Sequence, residues 1–188
     1  MEGPDALRNG RDTRAALAGS LAYAACRCTD GLFEGWEFAN ERERQEARFK
    51  TFCQFLQCFI YIADRWIFGM AGAERRDGVM IPLANSLADT VVNMHFPQAP
   101  EQIKEGLRRE FFHNLDVAIC RYSPSSHLLV EGKPLAQEGI LNQLAFDVTE
   151  VLGTKNPVTL MRVVGISLDA MKEVDLAGLT QRVASTTL

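Results

Sequence analysis

Glu110 and His113 form an E-x-x-H pair, the spacing at which one helical turn presents a carboxylate and an imidazole to a metal. Ferritin-like iron sites use two such motifs plus a glutamate from each of two further helices, and this chain carries one motif. At ~100° per residue, the centre of the apolar stripe Ile103, Leu107, Phe111, Leu115 and Ala118 lies about 70° from Glu110 and about 130° from His113. The histidine is expected to face solvent or a partner, so the pair ranks only as a weak metal candidate.

The five cysteines suggest still less metal chemistry. Cys26-x-Cys28 lacks the C-x-x-C spacing of zinc and redox sites. Cys53 and Cys58, five apart in a helical run, point about 140° away from each other. An odd cysteine count without a regular framework also argues for a reducing compartment. The other two histidines, His95 and His127, fall in expected loops with no nucleophile setting nearby. Ser123, Ser125 and Ser126 surround Pro124 as a turn, without the G-x-S-x-G frame of a nucleophile elbow. Gly69-Met70-Ala71-Gly72 has neither the preceding strand nor the Lys-Ser/Thr of a phosphate cradle. Hydrolase, kinase and dehydrogenase chemistry has no motif here, no cofactor is implied, and the chain leans away from being an enzyme.

Two constellations remain as candidates for binding. One is the aromatic helix from Phe49 to Phe68, where Tyr61 and Trp66 join phenylalanines on more than one face. Packing on all sides explains it most simply, but an apolar ligand cleft or a dimer interface would bury such faces equally well. The second is Asp64-Arg65 followed by Glu74-Arg75-Arg76-Asp77, a mixed-sign cluster that reads as a solvated ion-pair network or as an anion or partner contact. Phe112 and Ile119 lie off the inward stripe of their helix, which suggests a second covered side.

The elements that position these residues follow from helical periodicity. Asn40 with Glu43 three residues on reads as an N-cap with an acidic partner. The helix it opens carries Phe52, Leu56, Phe59, Ala63, Trp66 and Met70 on one face and is expected to stop at Gly69 and Gly72. A second helix is expected over 79–94 with Leu83, Leu87, Val91 and Met94 inward. Pro82 then falls in its first turn, or kinks a helix begun near Glu74. Pro100 introduces a third helix through Tyr122. The stretch 123–133 reads as a loop, with a short extended piece conceivable at 128–131, and Pro134 opens a fourth helix closed by Gly153. Asn156-Pro157 starts a fifth on Met161, Val164, Leu168 and Met171, which forms an antiparallel hairpin with the fourth. Before residue 40, one Ala-rich helix over about 13–28 sits among loop-like Gly3-Pro4, Asn9-Gly10 and 29–35.

The 188 residues, 47% hydrophobic and 23% charged, suit a globular domain that folds without disulfides or metal. The expected organisation is an N-terminal segment over 1–39 and a helical domain over 40–188. The net charge of -4 is dispersed, and no stretch holds the Lys/Arg excess of a nucleic-acid binder or a polybasic anchor. Ala15–Cys26 superficially resembles a signal peptide, but Asp5 and Asp12 stand where basic residues belong, and Gly19 and Ser20 interrupt the apolar run. Gln57, Asp64 and Arg65 break the longest apolar stretch, so no membrane span is expected.

The sequence therefore predicts an all-α, five- or six-helix bundle in the cytoplasm. Its leading function is non-enzymatic protein–protein interaction, with self-association or another protein as partner, through Tyr61, Asp64, Arg65, Trp66, Arg75, Arg76, Phe112 and Ile119. Binding of an apolar small molecule or cofactor between helices is the alternative, followed by a metal-carboxylate enzyme on Glu110 and His113.

Overall fold

A computed structural model describes residues 4–125, 127–128 and 139–186, with side chains from residue 12 onward. The expected all-α class is what it shows: six helices and, among the described residues, no strand. They are α1 (Pro4–Phe33), α2 (Glu41–His95), α3 (Glu101–Tyr122), α4 (Ile140–Val151), α5 (Pro157–Glu173) and α6 (Leu176–Thr186). No helix among the described residues is long and apolar enough to cross a membrane. The chain forms two compact units, one from residues 1–20, 60–119 and 176–188, the other from 21–59 and 120–175. We call them unit 1 and unit 2.

In unit 1, the second part of α2 turns on one residue. Helical geometry is interrupted at Gly72 alone, with φ 75° and ψ 176°, a backbone region essentially reserved for glycine. The expected stop is therefore real, but helix resumes at once instead of at Val79. Pro82 consequently lies well inside a helix, where it offers no N–H to the Gly78 carbonyl one turn earlier. Arg14 of α1 supplies the missing donor, its Nη1 lying 3.1 Å from Gly78 O. Leu83, Leu87 and Val91 are buried as expected, as are Phe111, Leu115 and Ala118 of α3. Met94 and Ile103, expected inward, are instead 47% and 56% exposed. Both flank the turn at residues 96–100, where the apolar stripes run past the end of the packed interface. Arg108 ties α3 to α2 by bonding Asp89 at 2.7 Å while also holding Glu101 at 2.6 Å.

In unit 2, Asn40 caps α2 as expected: its Oδ1 accepts the Glu43 N–H at 2.9 Å. Phe33 and Phe38 stack at 5.1 Å across the turn between α1 and α2. The Arg48–Asp30 ion pair joins the same two helices. Helix α1 outruns the expected 13–28 in both directions. On the C-terminal side its buried stripe continues through Leu32 and Phe33, and Thr29 stays helical by donating its hydroxyl to Ala25 O at 2.8 Å. Along this part of α2, every residue from Phe55 to Phe59 is buried, more than one full turn without an open side.

The start of the fourth helix expected at Pro134, and most of the extended piece at 128–131, lie outside the described residues. From Ile140, α4 is entered through the Ile140 and Leu141 N–H groups, which bond His127 O and Leu128 O at 3.0 and 3.1 Å in place of a capping side chain. Gly153, at φ 64°, closes the turn, and α4 and α5 pack as the expected hairpin. Asn156 caps α5 through its Oδ1 and the Val158 N–H at 2.9 Å. The buried face of α5 is Leu160, Val163, Ser167, Ala170 and Met171, so Met161, at 57% exposure, belongs to the outer side. Small Ser167 and Ala170 allow close approach, and Ser167 satisfies its hydroxyl on Val163 O at 2.7 Å. Apolar counting alone favoured the face one residue round. Helix α6 was not foreseen as a separate element because Asp175, at φ 49°, makes the turn that glycine usually marks.

Arg14→Met is expected to lower stability by about 1 kcal/mol, the net worth of one hydrogen bond. With Pro82→Ala in the same chain the loss should vanish, because the restored N–H serves the Gly78 carbonyl. A double-mutant cycle from urea unfolding measures that coupling, and additive losses would refute the pairing.

Candidate functional site

All the sequence-derived candidates belong to unit 1. The part of α2 before Gly72 supplies Tyr61, Asp64, Arg65 and Trp66, and the part after it supplies Arg75 and Arg76. Tyr61 and Asp64 are buried, Trp66 and Arg76 half-buried, and Arg65 and Arg75 exposed. Arg76 reaches back across the glycine to form a two-pronged bond with Asp64, Nε to Oδ1 at 2.5 Å and Nη2 to Oδ2 at 2.9 Å. Its Nη1 donates to Asp77 Oδ1 at 3.1 Å. The Asp64 bond holds the Arg76 guanidinium more firmly protonated than usual. The cluster is thus not a solvated network throughout. A carboxylate with 7% of its surface exposed needs its partner, and the parallel geometry is the strongest form an arginine can offer.

In the same unit, a groove of about 350 Å³ opens to solvent along α2 and α6. Arg65, Trp66, Gly69 and Met70 form one wall, and Ala177, Thr180 and Gln181 form the other. Thr180 turns its hydroxyl onto Leu176 O and Ala177 O at 3.0 and 2.8 Å, which leaves that wall mostly apolar. Met70, expected on the inward stripe, is 49% exposed, because the helix reverses two residues later and its last turn projects from the core. Phe68 is 46% exposed. The groove therefore gathers Arg65 and Trp66 from the candidate set and adds an α6 wall that periodicity did not reveal.

Phe112 and Ile119 are half-buried on α3, and neither lines the groove. Phe112 packs edge-on against Phe111, ring centres 5.6 Å apart. Glu110 and His113 are both exposed. Among the described residues, no three His, Cys, Asp or Glu side chains gather where they could hold a metal ion.

Unit 2 holds a buried polar node that sequence reasoning missed. Asp147 of α4 accepts from Arg121 Nη1 at 2.9 Å, Gln143 Nε2 at 3.0 Å and the Tyr122 hydroxyl at 3.3 Å. The Gln143–Asp147 spacing of four was its visible trace. Burial pushes the Tyr122 phenol well up, with further contributions from Cys58 and Asp147. Burial likewise raises the fully enclosed Cys58 thiol. Cys28, whose thiol lies 3.5 Å from Ile166 O, is pushed up to about 12 by burial. These groups are protonated at neutral pH and serve as hydrogen-bonding and packing groups rather than nucleophiles. A cleft of about 570 Å³ at the α4–α5 turn, lined by Phe146, Thr149, Glu150, Gly153, Thr154, Lys155 and Leu160, mixes both charge signs with apolar surface.

Comparisons with protein-family models, with curated proteins and with solved structures each return no match.

At pH 8, a thiol reagent is expected to modify exposed Cys120 quickly and to reach Cys28 and Cys58 only on unfolding. Because Cys28 ionises later when folded than when unfolded, its stabilising contribution is complete below about pH 9 and is lost as pH climbs towards 12. Unfolding midpoints should therefore fall through that window, and Cys28→Ala should flatten the fall. An unchanged slope would show that Cys28 is not the titrating group.

Proposed function

We propose that this chain is a non-enzymatic helical interaction protein that self-associates through the groove at Trp66. The supporting observation is the groove itself: Trp66 and Met70 face the α6 wall, with Met70 left half-exposed at the projecting end of a helical limb. Side chains of this kind recur as interface anchors, since large, polarisable groups contribute most when a partner removes them from water. Arg65 at the edge supplies the polar rim that fixes register. The geometry suits a helix laid lengthwise along the groove.

A small apolar molecule is the second reading, favoured by a volume at the lower end of the range of ligand pockets. Both readings use Trp66, but they differ in what is carried at native mass. Met70→Glu is expected to weaken self-association about tenfold or more, the effect of about 1.4 kcal/mol, while leaving the thermal midpoint nearly unchanged because the side chain is already half in water. Native mass spectrometry of the untagged protein reads the outcome. An oligomer distribution identical to that of the unsubstituted chain would remove the groove as the contact, and a ligand mass lost with Met70→Glu would favour the small molecule.

A further inference from the structure

We propose that α2 is a latched elbow, hinged at Gly72 and held by the Asp64–Arg76 pair, whose straightening lets two copies of the chain exchange everything after the hinge. The argument begins with the size of the interruption. Helical geometry persists up to Gly72 and resumes directly after it, so a single residue's φ and ψ separate the bent form from one continuous helix. Glycine takes the helical region nearly as readily as the region it occupies here. Straightened, the 55 residues of α2 would form a rod about 80 Å long.

Straightening has two consequences inside unit 1. Asp64 and Arg76 stand twelve positions apart, about 18 Å along a continuous helix, so the two-pronged bond cannot form within one straight chain. The Arg14 bond to the Gly78 carbonyl, which ties α1 to the limb after the hinge, opens as well. A second straightened copy restores both. Its residues before the hinge meet this chain's residues after it, and each Asp64 finds the Arg76 of the other copy. Exchange of identical elements costs little because every bent-form contact is remade, and very short hinges favour it.

This goes beyond the groove reading, in which intact chains meet by their surfaces. Gly72→Ala is the direct test. A Cβ meets nothing within 4 Å there, but a φ of +75° is one that L side chains rarely adopt, so the substitution burdens the bend and favours the straight form. We expect the dimer fraction measured by light scattering to rise about tenfold at fixed concentration. Gly106→Ala, in a helical position of α3 with equally open space and outside the groove lining, should leave it unchanged. A folded Gly72→Ala chain with the parent's mass distribution would overturn the proposal.

A charge-exchange experiment covers the case in which Gly72→Ala does not fold. Chains carrying Asp64→Arg and chains carrying Arg76→Asp are unfolded together and refolded. Each alone places like charges at the latch. Only exchange between the two kinds puts opposite charges at both latches, so a predominant mixed dimer is expected. Monomers, a statistical mixture of dimers, or failure of the mixture to refold would each overturn the exchange, and the statistical mixture is what groove association alone would produce.

Discussion

The bond between Asp64 and Arg76 is the constraint on which the rest of unit 1 depends. It closes across the one residue at which α2 reverses, and it buries a carboxylate that only a matched cation can accompany. With the two limbs held this way, the first ends in a projecting turn bearing Trp66, Phe68 and Met70. The second runs on as a helix through Pro82, whose missing hydrogen bond is supplied by Arg14. The groove against α6 is a product of that reversal: a helix continuing straight past Gly72 would have no projecting end.

Unit 2 uses buried polarity for a different purpose. Asp147 gathers donors from the end of α3 and from its own helix, and its partners Tyr122 and Arg121 adjoin the segment that leads into α4. The enclosed thiols of Cys58 and Cys28 lie in the same unit, protonated because burial disfavours the thiolate. Both units thus place one buried aspartate against an arginine. In one case the pair spans a glycine hinge, and in the other it joins successive helices.

Much of the local architecture was legible in the residue order. Asn40 and Asn156 cap the helices they were expected to cap, because a cap is a contact among neighbours and needs no distant partner. Gly72 and Gly153 were recognisable as interruptions, since their positive φ suits glycine best. Less legible was which face each helix buries. Met161 on α5 and Met94 on α2 are apolar and at correct spacing, yet exposed, while Ser167 and Ala170 are buried because small side chains allow close packing. Of the candidate site, Arg65 and Trp66 were found by their chemistry, and their facing wall was not. Ala177, Thr180 and Gln181 lie more than a hundred positions away on a helix whose start is marked only by an aspartate at positive φ.

The residue order by itself determined the all-α class, the caps, the breaks and the central aromatic helix, because these follow from backbone preferences and from short-range periodicity. Tertiary structure decided that Arg76 turns back onto Asp64, that Arg14 serves the carbonyl stranded by Pro82, and that Tyr122, Arg121 and Gln143 converge on Asp147. Each of these depends on the direction a helix takes after a break, and a glycine permits a new direction without specifying it. What selects among the directions is the set of distant side chains that become satisfied together, and only the folded chain brings them within reach.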